Sequence, residues 1–226
     1  MRFANLLKWD MKFQARYGFY LLYGFLTLIY FVVLFSLPVS WKENTAAILI
    51  FSDPAAMGLF FMGAIVLLDK SQRVTAFFAI TPLKAFEYVS SKVISLGLIG
   101  VLVATILGIA SGSKSLISVV IGTFLSSSIF TLLGVIVATK ITSLNQFILA
   151  TVPVEVIGFV PALLHLFGVT PSIGKIYPAN TCMDLIAVRG FSIPGLLITV
   201  ICIILLFIAA HKCVLKMWQS QGGVKI

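Results

Sequence analysis

The sequence predicts an all-α polytopic membrane protein, with six transmembrane helices, an amphipathic surface helix before them, and a cytosolic helix between the second and third spans. Three observations predict it. Of 226 residues, 60% are hydrophobic and 10% charged, with a mean hydropathy of +1.13, more apolar surface than one soluble core of this size can enclose. The apolar residues fall in long runs, and a membrane helix needs about 20 of them, which leaves room for about six spans. The polar stretches between them are too short to fold separately, so residues 1–226 form a single transmembrane domain and any nucleotide chemistry must come from another chain.

Residues 1–16 carry Arg2, Lys8, Lys12 and Arg16 against Asp10, with Phe3, Leu6, Leu7 and Met11 at helical spacing, the pattern of a helix lying on the membrane surface. The segment has no small-residue cleavage site close behind it and is expected to be retained. The first span runs from about Tyr17 to Leu37 and stops at Pro38. The second apolar region, Ala46 to Leu68, is broken at Ser52-Asp53-Pro54, with Asp53 as a helix cap at the outer interface and Pro54 as a first helical residue. Since Pro54 to Leu68 is short for a crossing, either a kinked span or a helix extended past Asp69 into the cytosol is expected. The third span, Val93 to Ala110, carries a stripe of small residues, Gly97, Gly100, Ala104 and Gly108, suited to close helix contact. The fourth runs from Leu116 to Thr139 and the fifth from Phe147 to Phe167. A semi-polar outer element (168–193) with a short helix over Thr181–Val188 precedes the sixth span, Pro194 to Ala210, and a basic tail.

This layout places 12 of the lysines and arginines on one side and 4 on the other, so both termini are expected in the cytoplasm. Topology and interfacial lipid then account for the net charge of +9, which is no sign of nucleic-acid binding. The same side holds the longest polar interlude, Asp69 to Lys92. Within it Val74, Phe77 and Phe78 share one face of a short helix that Thr81-Pro82 ends. Aromatic residues in mid-loop, away from both flanking spans, point to a protein partner, with lipid contact as the alternative.

Few residues suggest chemistry of their own. Gly108 to Ser115 approaches the spacing of a phosphate loop but has Ser113 in place of the second glycine and follows a membrane helix rather than a strand. Cys182, Cys202 and Cys213 have no metal-ligand spacing, and His165 and His211 fall at opposite membrane faces, so no catalytic or metal set is indicated. Glu155 lies mid-span, where an ionised carboxylate costs several kcal/mol unless paired or wet. It is either a contact in a translocation path or a neutral group held by the serine-rich fourth span, Ser126 to Ser128 and Thr131. Asp184 and Arg189 either line an outer vestibule or form a solvated pair on a short interfacial helix.

The stretch Asp69-Lys70-Ser71-Gln72-Arg73-Val74-Thr75-Ala76-Phe77-Phe78-Ala79-Ile80-Thr81-Pro82 resembles the cytosolic loop of the type-2 ABC exporter permeases, E-R-E-x-G-T-x-E-x-L-x-x-T-P. It keeps the length, the first acid-base pair, an apolar residue at Phe78, and the closing Thr81-Pro82, and it has Ser71, Arg73 and Ala76 where the pattern has acid, glycine and acid. With Asp10 to Tyr20, Ser52-Asp53-Pro54 and Thr81-Pro82-Leu83, the chain is similar to the bacterial fluoroquinolone-export permeases. The resemblance implies a subunit of the bacterial plasma membrane, without cofactor of its own, exporting a small hydrophobic or amphipathic compound. It would pair with a second permease, identical or paralogous, and with ABC ATPase subunits that hold ATP and magnesium. Asp69, Lys70, Arg73, Val74, Phe77, Phe78, Ile80, Thr81 and Pro82 would form the coupling segment. The first, second and fifth spans would line the path, with Tyr23, Tyr30 and Glu155 as candidate contacts and Ser127 and Thr131 beside them. Two other classes fit the composition: an ion-coupled transporter using Glu155, and a non-transporting membrane scaffold or immunity protein.

Overall fold

An amphipathic helix, α1 (Arg2–Arg16), opens the chain and ends where Gly18 takes a φ of 79°, a left-handed turn that glycine makes without strain. The computed structural model describes residues 2–72, 74, 83–190 and 192–222. Six helices in it are long and apolar enough to cross a membrane, and no strand occurs among the described residues. On α1 the helix face turned inward is polar: Asp10 and Gln14 are buried against the third span, while Lys8, Trp9, Lys12 and Arg16 face outward. The helix is therefore pinned to the bundle as well as shaped for an interface.

The first span, α2 (Phe19–Ser36), ends ahead of Pro38, as its sequence predicts. The second extends past Asp69, one of its two expected forms, but departs from expectation at Ser52-Asp53-Pro54. Helix α3 (Val39–Ile50) passes through a π-turn (Phe51–Ala55) into α4 (Met57–Ser71), a continuous span of 33 residues with no break at the outer interface. At 1.5 Å per residue it is about 50 Å long against a hydrocarbon core of about 30 Å, so both ends project. The π-turn explains the difference. Proline has no N–H and crowds the carbonyl four residues back; a turn that reaches back five residues is wide enough to accommodate it without ending the helix. Asp53 is thus no cap but lies within the span, 4% exposed.

The third span, α5 (Ala85–Ser111), begins earlier than predicted, so Tyr88 and Lys92 belong to its buried first turns rather than to a loop. It ends at Gly112, with φ 75°, where the N–H of Ser113 bonds to the carbonyl of Gly108. The glycine-serine run that mimicked a phosphate loop is this helix stop. Helix α6 (Leu116–Lys140) is the centre of the bundle, packing against α4, α5, the outer helix α8 (Pro178–Ile186) and the last span α9 (Ile193–Gly222). Small residues allow that crowding: a Cβ on Gly97 would meet Phe124 of α6 at 2.8 Å, and one on Gly100 the Pro54 carbonyl at 2.5 Å.

The fifth span, α7 (Leu144–Leu166), starts from a Ser143 cap and touches α4, α6 and α8. A 3-10 turn (Ser172–Ile176) leads into α8, which starts at Pro178 rather than Thr181 because proline suits a first helical position. The basic tail is helical as well, as far as Gly222. It extends α9 well beyond Ala210 and buries Trp218 against Tyr88, ring centroids 5.7 Å apart.

Candidate functional site

The side chains that bear on function gather at three depths, and the group where α4 ends and α5 begins is the most tightly bonded. Asp69, 7% exposed at the end of α4, accepts a 2.9 Å hydrogen bond from the Tyr88 hydroxyl. Next to it the Lys70 ammonium donates to the carbonyls of Ala138, Thr139 and Ile141 at 2.8, 3.0 and 2.7 Å. Carbonyls at a helix C-terminus have no partner in the helix and carry the negative end of its dipole, which a cation completes. Lys70→Met is expected to lower stability by about 2 kcal/mol through loss of these charged hydrogen bonds, read as an earlier thermal unfolding of the detergent-solubilised chain.

On the other flank of the same loop, Lys92 pairs with Asp10 at 2.5 Å, and Ser91 donates to the second oxygen of that carboxylate. Gln14 donates to Ser95 at 2.9 Å and Gln72 to the Tyr17 hydroxyl at 3.3 Å. Lys92 also lies 5.1 Å above the Tyr88 ring, so one ammonium serves a cluster containing two carboxylates, Asp10 and Asp69. Segments far apart in sequence, α1, the ends of α4 and α5, and the tail of α9, are thereby fastened together where the 72–84 connection leaves the bundle. The sequence reading placed Asp69 and Lys70 against an ATPase; the structure engages both inside the chain. Val74 is half-buried. Arg73, Phe77, Phe78, Ile80, Thr81 and Pro82 lie outside the described residues. Asp10 and Lys92 escaped the sequence reading, although one signal was present: Asp10 is the single acid in an otherwise basic N-terminal helix.

Within the membrane, the π-turn separates two polar features. On one side Tyr30 lies near Asp53, whose Oδ2 is buried without a hydrogen-bond partner among the described residues. On the other, a cavity of about 310 Å³ opens between the turn and α7, lined by Ser52, Ala56, Phe130, Glu155, Val156, Phe159 and Val160. Phe51, behind it, packs on both Phe130 and Phe159 at 5.9 Å. Glu155 is half-buried and has no hydrogen-bond or ion-pair partner among the described residues. Its expected contact with the fourth-span hydroxyls is not made. Ser127 and Thr131 are buried in the α4–α6 interface, where a Cβ on Gly58 would meet Thr131 Oγ1 at 2.2 Å. Tyr23 is likewise interior, edge-on to Phe61 at 5.3 Å. Of the five candidate path residues, Glu155 and the half-buried Tyr30 remain accessible.

At the opposite end of the bundle Asp184 and Arg189 are close in the chain but do not pair through their side chains. Asp184 holds His165 at 3.0 Å, and the other ring nitrogen of His165 meets Thr170 at 2.5 Å. Arg189 donates to the Leu166 carbonyl at 2.5 Å, closing the end of α7, and to Asn44 at 2.8 Å. These residues, without Asn44 and Leu166 but with Lys175 added, surround an open polar cavity of about 260 Å³. The cluster ties the outer ends of the second and fifth spans to α8.

This arrangement has relatives. A family model described as the fluoroquinolones export permease protein family matches residues 1–218. The fluoroquinolones export permease proteins of two Mycobacterium tuberculosis strains are each 28% identical to the chain over 173 residues, covering 76% of it and 73% of the relative. No solved structure matches.

Proposed function

Since the chain belongs to the fluoroquinolones export permease family, we propose that it is the transmembrane subunit of an ATP-driven exporter, moved by a separate ABC ATPase that grips the segment between α4 and α5. The observation that carries this reading is the bonding at the base of that segment. Asp69 to Tyr88, Lys70 to the end of α6, and Asp10 to Lys92 lock both of its ends to the bundle. A force applied to such a segment moves α1, α4, α5 and α6 together, as rigid-body coupling requires. Phe77 and Phe78, with Val74, supply the apolar face for the ATPase, while Asp69 and Lys70 hold its base. A second permease chain completes the path, both termini face the cytoplasm, and ATP and magnesium reside in the ATPase. The name of the relatives, fluoroquinolones export permease protein, supports a small amphipathic compound as the substrate class.

Affinity purification in mild detergent tests this. The wild-type chain is expected to retain an ABC ATPase subunit, and Phe77→Asp with Phe78→Asp to lose it, because two carboxylates desolvated in an apolar contact oppose docking. Unchanged capture by the double variant would remove the docking assignment. Export that survives ATP depletion but stops when the proton gradient collapses would favour an ion-coupled transporter instead.

A further inference from the structure

The Glu155 cavity has a chemistry that the export reading alone does not explain. Its walls are Phe130, Phe159, Val156, Val160 and Ala56, and its polar groups are Ser52 and one carboxylate. No lysine, arginine or histidine lines it, in a chain whose net charge is +9. A carboxylate at membrane depth normally meets a base, a set of hydrogen-bond donors or water in a pore. Glu155 meets none of the first two among the described residues. One residue beyond Ser52, Asp53 adds a second carboxyl group with an unpartnered buried oxygen, so two acidic residues and no lining base lie near the π-turn.

Resting on the export reading, we infer that this cavity binds an amphipathic organic cation, with Glu155 as its counter-ion. The volume of about 310 Å³ matches the lower end of small-molecule sites. The negative faces of Phe130 and Phe159 favour a positive centre, and the aliphatic wall takes up an apolar body. The cavity lies against the π-turn, with Ser52, within the turn, and Ala56, just after it, on the cavity wall. Charge sign, not shape, is then what the site selects.

Tetraphenylphosphonium and tetraphenylborate test that statement, because they share a shape and carry opposite charges. Binding of each to the full chain in nanodiscs is measured against protein-free nanodiscs of the same lipid. The wild type is expected to prefer the phosphonium. Glu155→Gln, isosteric and half-exposed and so compatible with folding, is expected to weaken phosphonium binding about tenfold without weakening borate binding. Glu155→Asp should keep the preference, and Phe159→Ala should weaken the phosphonium in proportion to the lost ring contact. No preference in the wild type, or a preference unchanged in Glu155→Gln, would overturn the inference. Binding requires no ATPase, so failure here leaves capture of the ATPase untouched, and failure of capture leaves charge selection untouched.

Discussion

Lys92→Met is expected to release the N-terminal helix and to destabilise the chain by about 3–5 kcal/mol, the usual effect of removing one partner of a buried ion pair. Lys92 is 5% exposed and Asp10 6%, so water cannot replace the lost ammonium. Ser91 would be left as the sole side-chain donor to the Asp10 carboxylate, and Asp69 would lose its nearest compensating charge. Hydrogen exchange should rise across residues 2–16 ahead of global unfolding, because Asp10 and Gln14 are the buried attachments of α1. The double variant Asp10→Leu with Lys92→Met should recover much of the loss, since an apolar pair of similar volume needs no desolvation. If the single variant melts with the wild type and its N-terminus stays protected, the pair is not what holds α1.

Gly134→Ala is expected to destabilise the chain as well, for a reason of space rather than charge. A Cβ at position 134 would lie 2.7 Å from the Leu59 carbonyl oxygen and 3.0 Å from its Cα. Both are backbone atoms, so no side chain can swing aside and α4 must move away from α6. Overpacking of this kind costs about 1–3 kcal/mol, and here it acts on the central helix of the bundle. Gly24→Ala provides the contrast. Nothing lies within 4 Å of a Cβ there, so the substitution should be neutral or stabilise α2 by up to about 1 kcal/mol. Thermal unfolding of the two variants in one detergent checks the pair, and equal melting temperatures would refute the argument.

Much of the architecture could be read from hydrophobic runs, because a bilayer imposes length and composition on each span separately. The ends of α2, α6 and α7 fall within a few residues of expectation. The stripe from Gly97 to Gly108 was legible as a contact face for the same local reason, a period on one helix. Ser52-Asp53-Pro54 was misread because proline and a capping acid carry the same local signal at a helix start and in a π-turn. The choice between them rests on the neighbouring helices, against which Phe51 and Asp53 are buried. Ser127 and Thr131 were misplaced on a path for a related reason, since a serine-rich helix does not reveal which partner it faces.

What the sequence by itself determined was the class of molecule: an all-α membrane protein with six spans, a basic side, and a polar segment between the second and third spans. Each of those is a property of one stretch of chain in one solvent. What only the tertiary structure decided was which polar residues are engaged and which are free. Asp10 finds Lys92, and Lys70 finds the end of α6, across about 70 to 80 intervening residues, a pairing no local pattern encodes. The segment from Asp69 to Lys92 read as a short docking helix between an extension of the second span and a basic re-entry, and its two end residues prove to be buried anchors. Glu155 stands out in the opposite way, as a carboxylate with no hydrogen-bond or ion-pair partner among the described residues and an open space beside it.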